Sequence, residues 1–122
     1  MKFTYSWLKE HLAPTASFDE IVERLSLIGL AMEGVEDKAK ILAPFVVGEV
    51  LTASKHPNAD KLQVCTVSIG KGQPIQVVCG APNARAGIKT VFAAPGTVIP
   101  TNGMELKIGK IRDVESSGML CS

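Results

Sequence analysis

His56-Pro57-Asn58-Ala59-Asp60-Lys61-Leu62 is a polar cluster set between two apolar, strand-like runs, Phe45 to Ser54 and Lys61 to Gly70. Pro57 fixes its own φ and pushes His56 toward an extended conformation. Asn58 and Asp60 are residue types that hydrogen-bond nearby backbone in turns. The stretch reads as a shaped loop joining two strands, with Lys55 and Lys61 at its edges. Everything after Ile41 reads as the barrel that holds this loop, and everything before it as something else.

Working outward, Phe45 to Leu51 is the first strand, and Leu62, Val64, Val67 and Ile69 mark the second. The alternation slips near Cys65-Thr66, which predicts a bulge. Ile75, Val77 and Cys79 form the third strand after a turn at Gly70-Lys71-Gly72. Gly80 to Gly87 leaves room for one helical turn at most. Ile88 to Ala94 is the fourth strand, and Pro95 to Gly103 is a long loop rich in strand breakers. Met104, Leu106, Ile108 and Ile111 alternate as a fifth strand. Five short strands with a connector after the third predict the five-stranded Greek-key barrel of the OB-fold. In that topology ligand meets strands two and three, flanked by the loops between strands one and two and strands four and five. Here those loops are 54–61 and 95–103.

Toward the N-terminus the pattern is helical. Ser6 to Leu12 reads as a short helix capped by Ser6 and stopped by Pro14. Ser17-Phe18-Asp19-Glu20 is a capping box, and Phe18, Ile21, Val22, Leu25 and Ile28 recur at helical spacing. Gly29 is placed as its stop. Leu30, Met32 and Val35 alternate as a short strand. The expected class is mainly β with an α+β start: two short helices and a short strand, then the barrel. Residues 1–38 form a partial helical domain and residues 39–122 the barrel. Two helices in under forty residues cannot bury both apolar faces, so this start must lean on the barrel, on residues beyond the sequence, or on another chain.

Charge follows the same division. Residues 1–38 carry four basic and seven acidic groups, and residues 39–122 carry nine basic and five acidic groups. The second part, at +4, tolerates an anionic partner. Three cysteines, Cys65, Cys79 and Cys121, form no C-x-x-C pair, which argues against a disulfide framework or a zinc ribbon. Cys65 and Cys79 read as small core residues in a reduced, cytoplasmic protein. The chain start lacks a signal-peptide apolar stretch, and no run reaches the ~18 apolar residues of a membrane span. No catalytic constellation and no phosphate-binding glycine loop of the P-loop type is present; Gly70-Lys71-Gly72 is a hairpin turn.

Val47-Gly48-Glu49-Val50, then Lys55 to Leu62, then Ser116-Ser117-Gly118-Met119-Leu120-Cys121 resemble the tRNA-binding barrel domain. That domain occurs in stand-alone tRNA-binding proteins, at the ends of some synthetases, and near the start of the bacterial phenylalanyl-tRNA synthetase β subunit. Ser6 to Glu10, Leu27 to Leu30, Glu33 to Glu36 and Val78 to Asn83 are similar to that β subunit. The resemblance covers essentially the whole chain. It implies an N-terminal piece of a longer subunit, with residues 1–38 completed by a segment returning after the barrel. Ser122, directly after an apolar run, agrees with a chain cut short.

The resemblance also implies a parent that charges tRNA with phenylalanine using ATP and magnesium, as an α2β2 assembly with its adenylation site in the α subunit. No cofactor, metal or catalytic site is therefore expected in these residues, and neither DNA nor membrane is an expected partner. The expected tRNA contacts are Lys55, His56, Asn58, Lys61, Lys107, Lys110, Arg112 and Ser117. Against this, His56 can be a plain surface or loop residue, Asn58 and Asp60 can simply hold a turn, and the lysines can be a solvated strand edge. From Phe45 onward Phe45 and Phe92 are the only aromatics, and both sit in apolar contexts, which disfavours base stacking and favours phosphate and shape recognition. Two other readings are a barrel kept purely for architecture and a stand-alone tRNA-binding or chaperone-like protein.

Overall fold

The capping chemistry of the first residues dictates two helices. In a computed structural model, which describes residues 1–121, α1 spans Tyr5–His11 and α2 spans Phe18–Leu27. Thr4, two residues before the expected cap Ser6, closes α1 by accepting from the Trp7 N–H at 3.2 Å. At α2 the capping box is complete: the Ser17 N–H donates to Glu20 Oε2 at 2.8 Å and the Glu20 N–H donates to Ser17 Oγ at 3.4 Å. Gly29 (φ +95°) ends α2 in a Schellman arrangement, with Leu30 N–H bonded to Leu25 O and Gly29 N–H to Ser26 O.

The Glu20 carboxyl is held below the usual carboxylate range because the Ser17 backbone and hydroxyl donate to its charged form. Its folded value is depressed, so the capping contribution is fully present above the ordinary glutamate range. It fades as pH falls through the lowered value. The Ser17 amide resonance, followed from pH 7 to 2, should move with a midpoint below that of an exposed glutamate; a midpoint at the ordinary value would contradict the box.

The chain divides into two compact units, Met1–Asp37 and Lys38–Ser122. No residue of 1–37 is buried. Tyr5 and Phe18 meet edge to face at 5.2 Å, yet Trp7, Leu12, Leu27 and Ile28 are more than half exposed. Leu30 to Val35 is not a strand, a correction to the expected start. Alternation supplies a face but no hydrogen-bonding partner.

The second unit begins with α3, Lys38–Leu42, which the sequence reading missed. Ala43, preceding Pro44, is disfavoured in α and ends it. Then come β1 (Phe45–His56), β2 (Ala59–Ser68), β3 (Ile75–Cys79), β4 (Lys89–Ala93), β5 (Gly109–Ile111), β6 (Val114–Ser116) and β7 (Met119–Cys121). β1, β2, β3, β4 and β7 form one antiparallel sheet in the order β3-β2-β1-β4-β7. The fifth sheet strand is therefore Met119–Cys121, and not Met104 to Ile111. The latter belongs to the β4–β7 connection. There Val98 and Glu105 form an isolated bridge, and β5 and β6 form a separate hairpin.

The sheet curls until its edges meet. β3 touches both β6 and β7. The seam uses the serine pair: Val78 N–H donates to Ser116 Oγ at 3.0 Å, Ser116 Oγ–H donates to Gly118 O at 3.1 Å, and Ser117 N–H donates to Gln76 O at 2.9 Å. Five-stranded order, curl and seam are those expected of an OB-like barrel. Val50, Cys65, Val67, Val77, Cys79, Ala84 and Phe92 fill it. Burial, with Cys79 alongside, pushes the Cys65 thiol up, and burial does the same to Cys121; all three thiols are free. A neutral buried thiol is a weak nucleophile, which fits a packing role.

The anticipated bulge is present, but on the opposite strand. Val50 pairs with Val67 and Thr52 with Thr66, leaving Leu51 as the extra residue. The connector after β3 has turns and no helix, and it docks on β1 through Val50 N–H to Ile88 O and Gly87 N–H to Val50 O.

Candidate nucleic-acid interface

β1 runs on to His56, two residues beyond the expected loop start at Ser54, and β2 begins at Ala59, so residues 54–61 are mostly strand. The turn itself is Pro57-Asn58, closed by His56 opposite Ala59. The register then jumps from His56–Ala59 to Lys55–Gln63, which leaves Asp60, Lys61 and Leu62 as a bulge in β2. Lys55 and Asp60 meet across it at 2.7 Å, both largely exposed. Such a surface pair contributes about 0–1 kcal/mol and holds geometry weakly.

His56 is 2 % exposed. Its Nδ1 accepts the Asn58 backbone N–H at 3.0 Å, and its Nε2 lies 3.0 Å from the Ile111 carbonyl. A nitrogen that accepts an N–H carries no proton, so the proton of the neutral ring sits on Nε2 and is donated to Ile111 O. Both ring nitrogens are engaged and the ring is buried. His56 is among the expected contacts, and in the fold both of its hydrogen-bonding positions are taken. Asn58 is exposed and donates from Nδ2 to Arg112 O at 3.2 Å. Both side chains thus bond backbone far along the chain, 54 residues away for Asn58 and 55 for His56.

That distant backbone is the tip of the β5–β6 hairpin. Ile111 pairs with Val114 across two residues, Arg112 (φ 48°) and Asp113 (φ 70°). Positive φ at both positions is the pattern of a type I′ turn. The side chains of Lys110 and Arg112 are exposed. One end of the unit therefore gathers Lys55 and Lys61 from β1 and β2 and Lys110 and Arg112 from the hairpin, joined through His56 and Asn58. Lys107 is exposed in the segment between the Val98–Glu105 bridge and β5. Ser117 is not part of this end; it sits beyond the far end of β6, at the seam with β3.

Sequence reasoning missed Ser116 and Gln76. Ser116 is 4 % exposed and closes the barrel, and Gln76 Nε2 donates to Glu115 O at 2.8 Å. A signal was available: Gly118, two residues on, marks a close backbone approach. Phe92 is fully buried and Phe45 partly so, leaving no exposed aromatic side chain in residues 38–121. Among the described residues no group of three or more His, Cys, Asp or Glu is placed to hold a metal ion, and no helix is long and apolar enough to cross a membrane.

A family model described as a putative tRNA binding domain matches residues 45–122. The chain belongs to this tRNA-binding domain family. Its curated relatives include the phenylalanine–tRNA ligase beta subunits of Rhodopseudomonas palustris, 63% identical, and of Mesorhizobium japonicum, 62% identical, each aligned over all of this chain and 15% of the relative. The alignment falls on the N-terminal region of that subunit. The chain thus spans about a seventh of the relatives' length. Among solved structures, the MetRS related protein from Pyrococcus horikoshii is similar at a TM-score of 0.52 and 28% identity, over 72% of this chain and 76% of that one. The C-terminal domain of Plasmodium vivax p43 shares the fold at a TM-score of 0.50 and 21% identity, over 62% of this chain and 43% of that one.

The fold gives the tRNA-binding domain's basic residues a specific address. Lys107, Lys110 and Arg112 lie in the long connection from β4 to the last sheet strand, rather than on that strand. In this topology that connection, with the β1–β2 turn, borders the ligand face.

Proposed function

We propose that this chain is the N-terminal tRNA-binding module of a phenylalanine–tRNA ligase β subunit, and that it contacts tRNA through phosphate. The observation that carries the reading is the convergence of Lys55, Lys61, Lys110 and Arg112 at one end, where the fold's ligand loops meet. Lys107 and Asn58 extend the same surface, and Ser117 lies apart from it, at the seam. With no exposed aromatic to stack bases, affinity comes from counterion release and orientation from shape. The parent would join phenylalanine to tRNA in the cytoplasm using ATP and magnesium, with an α subunit in an α2β2 assembly. Further β-subunit residues would cover the exposed apolar side chains of residues 1–37.

The test is titration of a tRNA(Phe) transcript into this chain at 50 and 200 mM KCl. About four phosphate contacts give a log–log salt slope near −3. Lys110→Ala/Arg112→Ala should reduce its magnitude by about 1.5. Asp60→Asn, which frees Lys55 from its partner, should tighten binding about two- to five-fold at low salt. Its stability should change by less than about 0.5 kcal/mol. Absence of binding at 50 mM KCl would favour a purely architectural barrel, a reading that the missing aromatics also support.

A further inference from the structure

We propose that His56 is a positioning residue, whose Nε2–H bond to the Ile111 carbonyl sets the β5–β6 hairpin so that Lys110 and Arg112 meet RNA phosphates. The proposal rests on the tRNA-contact reading above and adds what makes that surface rigid.

The hairpin has three residue pairs and a two-residue turn. A two-stranded ribbon that short is marginal without support. Its base is well tied: Gln76 Nε2 holds Glu115 O, Ser116 Oγ accepts from Val78, and Ser117 N–H reaches Gln76 O. Its tip is not packed, since Ile111, Arg112 and Asp113 are all exposed. Among the described residues, the side-chain bonds to the tip are His56 to Ile111 O and Asn58 to Arg112 O. The His56 bond is the shorter and the shielded one. Lys55, Pro57 and Asn58 around it are exposed while His56 is buried, so the ring is inserted between turn and hairpin. The Asn58 N–H on Nδ1 fixes the tautomer that donates from Nε2. Holding two long basic side chains on a fixed tip lowers the ordering cost of binding.

Two near-isosteres separate the ring's bonds. Asn at 56 keeps an acceptor near the Nδ1 position and loses the reach to Ile111; Gln keeps a donor near Nε2. With the tRNA(Phe) transcript, His56→Asn should weaken binding about five- to twenty-fold and flatten the salt slope. His56→Gln should stay within about two-fold of the native protein. Adding His56→Asn to Lys110→Ala/Arg112→Ala should cause no further loss, because the charges it positions are gone. Native-like binding by His56→Asn, or a loss that adds fully to the double variant, overturns the proposal. Should His56→Asn fail to fold, His56→Gln gives the decision: binding within about two-fold of the native protein supports the latch, and a larger loss in a folded variant overturns it. Imidazole ¹⁵N spectra of the native chain read the latch without RNA. A protonated Nε2 with bare Nδ1 is expected, and the reverse tautomer overturns it. The expected tautomer in a native chain that binds no tRNA would instead sink the tRNA reading, and the latch's role in binding with it.

Discussion

Gly118→Ala is expected to destabilise the second unit by about 3–5 kcal/mol, a sum of left-handed backbone strain and overpacking. Gly118 has φ +133°, and a Cβ there would lie 2.6 Å from Phe92 Cε2, 2.7 Å from Phe92 Cζ and 2.7 Å from Ala93 O. One collision is with a ring that is itself fully buried and the other with backbone, so neither gives way easily. For a unit of 85 residues this lowers the melting temperature by about 15–30 °C, read by thermal circular dichroism. Gly29→Ala is the control. Gly29 also has positive φ (+95°), but nothing lies within 4 Å of its Cβ position. It should cost about 1 kcal/mol, from backbone strain alone. Equal losses at the two sites would show that φ alone, and not the seam, makes Gly118 necessary.

Phe92→Ala is the second large effect, at about 3–5 kcal/mol. Phe92 is fully buried near the end of β4, paired with Val46 on β1 and Leu120 on β7. Its ring meets Gly118, and its Cβ lies 3.2 Å from where a Gly48 Cβ would stand. It is the side chain around which both neighbouring strands close. The two predictions are coupled. In a Gly118→Ala background the ring is a source of collision, so its removal should cost less than in the native chain by about 1–3 kcal/mol. Simple additivity in chemical denaturation would mean that the two residues do not meet. Either substitution opens the β3–β7 seam, and tRNA binding should fall with folding and not before it.

Much of this was legible in the residues, and what was not has physical causes. Pro57-Asn58 announced a turn through their own backbone preferences, and Ser17-Glu20 announced a helix start through side-chain chemistry; both are local. Met104, Leu106, Ile108 and Ile111 looked like a strand because they alternate. Yet Met104, Ile108 and Ile111 are exposed, and strand identity belongs to the partner rather than to the pattern. The free edge of β4 is taken by Met119–Cys121, three residues, too short to show a period of two. Leu30 to Val35 failed for the same lack of a partner. His56 looked like a loop residue available to ligand because no local signal tells that its ring binds a carbonyl 55 residues later. The basic residues were found by type, but that Lys110 and Arg112 share an end with Lys55 and Lys61 depends on a contact between two turns.

That shared end is most directly tested by mapping a tRNA(Phe) transcript onto the ¹⁵N-labelled chain by amide chemical-shift perturbation at 50 mM salt. Perturbations concentrated at residues 55–62 and 109–114, and weak at Val47 and Val91 on the exposed outer side of the sheet, are the expected result. Shifts centred on that outer side, or none at either turn while tRNA is bound, would contradict it.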